Sequence, residues 1–317
     1  MVLTNEQIKS ITVGAPFIVD TDEGLKFYKY CPELYDVWKA HREVLAERML
    51  ATSGVRLDFS TNSKHLTIEL EKPRRFEIFI NGVFRYTMRE QACLSVDIDT
   101  PFGESLDEAR ITVYFPAHSV ATVKSVELDD GAFVVPYEFD RKILFIGDSI
   151  TQGYQSEFES FSYANRVSRH FNAESVVQGI GGACFFADCL EPIPFDPDWV
   201  IIAYGTNDFR LYDTLDEFKS NLYPFMSKLA NMYSDKKIFV ISPVWRADQT
   251  PKKEMTFKEC REAIIEEAKK YGFAHIDGAG LIPPMACFYT DGVHPNDNGF
   301  SIMAENIIRE IEYQLKN

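Results

Sequence analysis

Lys142-Ile143-Leu144-Phe145-Ile146-Gly147-Asp148-Ser149-Ile150 is a short apolar run that stops at Gly-Asp. A continuous apolar run of this length, bounded by a turn signal, reads as a strand buried on both faces, as in a parallel sheet. The rhythm that follows agrees. A helix is expected with Ala164, Val167 and Phe171 on one face, then a strand at Ser175 to Gln178 and another at Trp199 to Tyr204. A helix over about Leu215 to Tyr233 precedes a strand at Ile238 to Ser242. A helix over about Glu254 to Tyr271, a strand at Ala274 to Ile276 and a last helix after Pro295 complete the chain. Strands alternating with helices of this length predict an α/β domain, a doubly wound parallel sheet with helices on both faces.

Before Asp140 the rhythm is different. Val55, Leu57 and Phe59 alternate with charged residues, and Leu66, Ile68 and Leu70 repeat the pattern. Phe76, Ile78 and Ile80 run into Asn81-Gly82, a type I′ hairpin signal, and Val83 to Thr87 returns. Ile111 to Phe115 and Val123 to Leu128 alternate too, and Asp130-Gly131 marks a further turn. Many short strands predict an antiparallel β-sandwich. The charged stretch from Val37 to Leu50 fits a helix or an irregular strand equally well. The change of rhythm at Val134 to Asp140 divides the chain into an accessory domain over 1–138 and an α/β domain over 139–317.

Composition narrows the function. The 317 residues, 45% hydrophobic with 25 Phe and 15 Tyr, suffice for two packed cores. A net charge of −15 argues against nucleic acid and anionic membrane partners, which need a basic surface. No stretch approaches the ~20 apolar residues of a membrane span. Met1 to Ser10 lacks a basic start followed by an apolar run, so no signal peptide is expected. Six scattered cysteines without a CxxC pair read as reduced thiols, and the expected compartment is the cytoplasm. No metal or organic cofactor is expected, and homo-oligomerisation is left open.

Four loops after predicted strands carry chemistry-bearing residues. Ser149 at a strand end can offer its hydroxyl to a cleft and its N–H to an anion, although Gly-Asp-Ser alone is a common turn. Gly179-Ile180-Gly181-Gly182 can aim a backbone N–H at a ligand; its spacing is not the G-x-G-x-x-G of a dinucleotide loop. In Gly205-Thr206-Asn207-Asp208 the Asn207 amide can donate to a developing oxyanion, where its blander role is an Asx turn. In Asp291-Gly292-Val293-His294-Pro295 the imidazole can act as general base and Asp291 can fix its tautomer. The other histidines, His41, His65, His118, His170 and His275, have no such context and are assigned to packing.

Taken in this order, the four blocks resemble those of the SGNH hydrolases, the GDSL esterase/lipase family, over about residues 141 to 317. The resemblance implies a flavodoxin-like α/β fold with Ser149 as nucleophile, His294 as base and Asp291 as its orienting acid. It implies an oxyanion hole made of the N–H groups of Ser149 and Gly182 and the side chain of Asn207. Gly182 is chosen over Gly181 by position, because the block reads Ile180-Gly181-Gly182 where many members have Ser before the glycine. The front half resembles, more loosely, the jelly-roll-like β-sandwich that precedes the catalytic domain in some carbohydrate acetyl esterases.

The expected activity is therefore hydrolysis of short acyl esters, with deacetylation of a saccharide favoured by the resemblance. Trp245, after a predicted strand, is a candidate substrate-binding residue, with packing beneath its loop as the equal alternative. Phe185, Phe186 and Phe209 lie near the same blocks and are equally compatible with core. The competing readings are a lipase or thioesterase on the same core, and a carbohydrate-binding protein without catalysis.

Overall fold

Five strands, β10 to β14 in chain order, form a wholly parallel sheet in the second half of the chain: β10 (Arg141–Gly147), β11 (Ala173–Gly179), β12 (Trp199–Ala203), β13 (Lys237–Ile241) and β14 (Ala274–Ile276). The computed structural model describes residues 1–316 and orders these strands β11-β10-β12-β13-β14. This is the 2-1-3-4-5 order of flavodoxin-like sheets, in which the chain reverses direction between the first and third strands. Residues along each strand alternate between two cores, as the pleat requires. Leu144, Ile146, Val200 and Ile202 face the helices α7 (Leu215–Met232) and α8 (Phe257–Lys270). Ile143, Phe145, Ile201 and Phe239 face α5 (Tyr163–His170) and α9 (Asp297–Lys316).

The remaining nine strands form one antiparallel sheet. They are β1 (Thr12–Val13), β2 (Phe17–Thr21), β3 (Gly24–Tyr28), β4 (Arg56–Thr61), β5 (His65–Ile80), β6 (Val83–Asp97), β7 (Ala109–Tyr114), β8 (Thr122–Leu128) and β9 (Val135–Pro136). The two runs expected around Ile68 and Phe76 are one long strand, β5. Its first half, Leu66 to Leu70, pairs with β8, and its second half, Glu77 to Ile80, pairs with β7. Between them the β5–β6 register shifts at Glu69/Arg74 and Arg74/Phe76, so the hairpin bends there. The sheet thereby curls over its own apolar face, enclosing Phe27, Phe59, Phe76, Ile78, Val113 and Phe115. The β5–β6 turn has Asn81 at φ 50 and Gly82 at φ 75, the signs a type I′ turn needs.

The undecided stretch is helical: α2 (Leu34–His41) and α3 (Glu43–Met49). Both lie not on the front sheet but on the α/β core, where Leu34, Trp38, Leu45, Ala46 and Met49 pack with Leu144, Val176 and Ile180. The reason is local. The connection from β11 to β12 carries only a three-residue 3₁₀ turn, Ala187–Cys189, and no crossover helix. The front segment supplies the missing cover. Polar bonds complete the joint: Glu77 accepts the N–H groups of Glu159 and Ser160, at 2.7 and 3.1 Å, and Arg56 donates to Ala173 O at 3.1 Å. Among the described residues no helix is long and apolar enough to cross a membrane.

Candidate active site

The carboxyl ends of three strands lie in register, with Gly147 paired to Gly179 on one side and to Ala203 on the other. The loops carrying Ser149, Gly182 and Asn207 therefore leave the sheet side by side, at the point where the strand order reverses. Open α/β sheets bind ligands at such points. Ser149 opens the short helix α4 (Ser149–Gln152), and Asp148 caps it by accepting the Ile150 N–H at 2.9 Å. Gly147 has no room for a side chain, since a Cβ there would lie 2.1 Å from Thr151 Oγ1 and 2.6 Å from Ala203 O. That close approach turns the chain sharply enough to leave the Ser149 hydroxyl at the cleft. The N–H groups of a helix's first turn have no intrahelical acceptor, which leaves the Ser149 N–H available to a ligand.

The loop before α9 reaches the same point. His294 Nε2 lies 2.9 Å from Ser149 Oγ, and His294 Nδ1 lies 2.7 Å from Asp291 Oδ2. Asp291 Oδ1 also accepts the backbone N–H groups of His294 and Val293, at 2.8 and 3.0 Å. Partial burial works against the Asp291 charge. The His294 backbone and ring N–H groups and the Val293 N–H outweigh it and hold the carboxyl below the usual 3.8. An ionised Asp291 fixes Nδ1 as the protonated nitrogen and leaves Nε2 to take the hydroxyl proton.

Across the cleft, Asn207 Nδ2 donates to Ala183 O at 3.0 Å and stands 3.4 Å from Asp148 Oδ2, so its amide is oriented by protein partners. Burial pushes the Asp148 carboxyl up to about 7, against the N–H groups of Ile150 and of Asp148 itself. The two glycines differ. The Gly181 N–H is consumed by Gln152 Oε1 at 2.7 Å. The Gly182 N–H has no acceptor among the described residues, and its φ of +89° requires glycine.

A family model describing GDSL-like lipases and acylhydrolases matches residues 145–302, which contain all of these blocks. The chain belongs to that family. The match makes it an acylhydrolase, an enzyme of ester hydrolysis. A search of curated protein sequences found no significant match. Among solved structures, the salicylyl-acyltransferase SsfX3 from a tetracycline biosynthetic pathway is 20% identical, covering 96% of this chain and 94% of that one with a TM-score of 0.80. A protein described as a GDSL-like lipase from Bacteroides ovatus is also 20% identical, covering 100% and 98% with a TM-score of 0.77. A family two carbohydrate esterase from Clostridium thermocellum, in complex with cellohexaose, is 19% identical over 96% and 98%, with a TM-score of 0.67. At these identities the likeness is one of fold, and it extends through the front half.

In this acylhydrolase a cleft of about 350 Å³ is lined by Arg48, His118, Ser149, Gln152, Tyr154, Gly181, Gly182, Asn207 and His294. Trp245 is not among the lining residues. It is half-buried against the Tyr289 ring, at 5.1 Å, while its neighbour Ala247 donates its N–H to Gly292 O at 2.8 Å. It supports the loop that carries Asp291 and His294. Phe185 and Phe209 are core, and the Phe186 ring stacks on His41 at 3.9 Å.

His118, assigned to packing in the sequence, lines the cleft instead. Its ring meets that of Tyr154 at 5.4 Å, and Tyr154 in turn meets the His294 ring edge-on at 4.8 Å. Burial, with Arg75 and Lys29 nearby, pushes the His118 imidazole down to about 4, so it is neutral at physiological pH. Arg48 and His118 come from the front half, and no local pattern in the sequence marks either. Only the docking of the two halves does. Among the described residues no group of three or more His, Cys, Asp or Glu side chains could hold a metal ion.

Proposed function

We propose that the protein is a serine esterase that removes short acyl groups, with acetyl groups on a carbohydrate as the favoured substrate. The observation that carries this is the Ser149–His294–Asp291 relay, at 2.9 and 2.7 Å, opening on a cleft lined by polar side chains and glycine. A long acyl chain needs an apolar channel, and no aliphatic side chain lines this cleft. Hydroxyl-rich groups suit such a lining. The likeness in fold to a carbohydrate esterase bound to cellohexaose supports the same substrate class.

In this mechanism Ser149 Oγ attacks the ester carbonyl carbon as its proton moves to His294 Nε2. The tetrahedral oxyanion accepts hydrogen bonds from the N–H groups of Ser149 and Gly182 and from Asn207 Nδ2. The bond to the alcohol breaks as His294 returns the proton to the departing oxygen, leaving an acyl-Ser149. Water then gives a proton to His294 and attacks the acyl carbon, and the bond to Ser149 Oγ breaks as His294 passes that proton to it, which releases the acid and regenerates the serine.

The first test is p-nitrophenyl acetate hydrolysis by the wild type and Ser149→Ala, both checked for folding by circular dichroism. Activity in the wild type that is lost in a folded variant supports the nucleophile, whereas equal rates refute it. Acetate release from acetylated sugars, compared with hydrolysis of octanoyl esters, then tests the substrate class. Faster turnover of the octanoyl esters would overturn it.

A further inference from the structure

Gly181 and Gly182 form a peptide with almost no steric preference of its own, because neither residue has a Cβ to restrict its backbone. Such a peptide can rotate about its flanking bonds, exchanging the places of its carbonyl and its N–H. Something outside the loop must decide which of them serves the cleft. In this chain the neighbouring groups are held individually. Arg48 Nη1 donates to Gly181 O at 2.6 Å, and Arg42 Nη1 donates to Gly182 O at 3.0 Å. On the other side, Gln152 Oε1 accepts the Gly181 N–H at 2.7 Å while its Nε2 donates to Ala117 O at 2.8 Å. Three of these four partners, Arg42, Arg48 and Ala117, belong to the front half.

The Gly181 carbonyl and the Gly182 N–H are two ends of one peptide plane. This peptide is trans, since the described residues include no cis peptide bond, so these ends point in opposite directions. Capture of Gly181 O by Arg48 therefore turns the Gly182 N–H away from the guanidinium, where no group among the described residues accepts it. The charge of Arg48 also polarises the peptide, which makes the N–H a stronger donor. Arg48 is anchored for this purpose, since Leu45, Ala46 and Met49 bury the other face of α3 against the sheet.

We propose that Arg48 is a positioning residue that holds the Gly181–Gly182 peptide with its N–H toward the oxyanion, making the front half part of the catalytic centre. The proposal rests on the serine-esterase reading. It differs from substrate binding in one measurable respect: a residue that sets the oxyanion hole changes kcat, whereas one that grips the substrate in ground and transition states alike changes KM.

The test compares wild type, Ser149→Ala, Arg48→Ala and Arg48→Lys by two readouts. One is the rate at which a fluorophosphonate probe adds to Ser149, followed by intact mass. The other is steady-state hydrolysis of p-nitrophenyl acetate. The expected result for Arg48→Ala is a fall of roughly 10- to 100-fold in labelling rate and kcat, part of the loss of a full oxyanion donor. KM should stay within about twofold. Arg48→Lys, which keeps a charged donor, should recover part of the loss, and added methylguanidinium should accelerate Arg48→Ala but not the wild type.

Labelling of Arg48→Ala at the wild-type rate overturns the proposal while leaving the esterase intact. So does a rise in KM at unchanged kcat. If Arg48→Ala melts well below the wild type, failure of both Arg48→Lys and methylguanidinium to restore labelling overturns it too. A wild type that labels no faster than Ser149→Ala refutes the esterase reading, and the role of Arg48 falls with it.

Discussion

Replacing Lys29 by Met should stabilise the protein near neutral pH, and the gain should disappear in mild base. Lys29 follows β3 at the joint between the two halves and is 1% exposed. Its ammonium donates to Ser53 Oγ at 2.5 Å and Gly179 O at 3.3 Å, and no carboxylate pairs with it among the described residues. Burial drives it from 10.5 down to about 7. The sign follows from proton counting. Between about 7 and 10.5 the unfolded chain holds a proton that the folded one lacks, so stability rises with pH across that window. The penalty is complete below about 7 and absent above 10.5.

At roughly 1.4 kcal/mol per pH unit, the penalty at neutral pH is on the order of 4–5 kcal/mol. Leaving Ser53 and Gly179 without their donor costs about 1–2 kcal/mol each, so Lys29→Met should gain up to about 3 kcal/mol at neutral pH. At about pH 9.5 the removable penalty has shrunk to roughly 1.4 kcal/mol, and the variant should be no more stable than the wild type. Urea denaturation at the two pH values, with matching m-values, measures this. The difference between variant and wild type should move by roughly 3 kcal/mol between them. An unchanged difference would mean that the buried amine does not titrate in this window, and the burial argument would be wrong.

Two further outcomes follow from the same structure. Asn207→Ala should lower kcat by ~10²–10³ if the amide serves as an oxyanion donor; near-full turnover in a folded variant would remove Asn207 from the hole. Trp38→Ala should cost about 3–5 kcal/mol in chemical denaturation, because its indole is buried on the α/β core and packs with Phe186. A loss below about 1 kcal/mol would show that α2 is dispensable as cover for the sheet.

The parallel sheet was legible because its strands are buried on both faces. Ile143 to Ile146 and Val200 to Ile202 must then be apolar without alternation, and α5, α7 and α8 fall between strands where the helical periodicity placed them. The front strands were legible through alternation, although the union of two runs into β5 was not. A bend accommodated by register shifts leaves no distinct pattern in the residues that cross it. The stretch from Val37 to Leu50 resisted for a related reason. Trp38, then Leu45, Ala46 and Met49, with Leu34 just before the stretch, recur at helical intervals, but Arg42 divides two helices too short to declare themselves.

By itself the sequence determined the strand–loop order of the second half and the residues brought together at its carboxyl edge. Ser149, Asn207, Asp291 and His294 each follow a local punctuation of chain direction, and local punctuation is written in neighbouring residues. Only the tertiary structure decided what surrounds them. Arg48 and His118 reach the cleft from more than 30 positions upstream of Ser149, carried there by apolar packing that has no sequence-local signature. The same is true of Trp245, whose place beside the loop that carries Asp291 and His294 depends on its contact with Tyr289. Which of Gly181 and Gly182 keeps a free N–H was likewise not written in the motif, because Gln152 takes the Gly181 N–H from across the loop. The convergence of Ser149, His294 and Asp291 could be read from motifs because chain geometry restricts the residue types at those turns. The environment of the cleft could not, because burial and hydrogen bonding between distant segments exist only once the halves have docked.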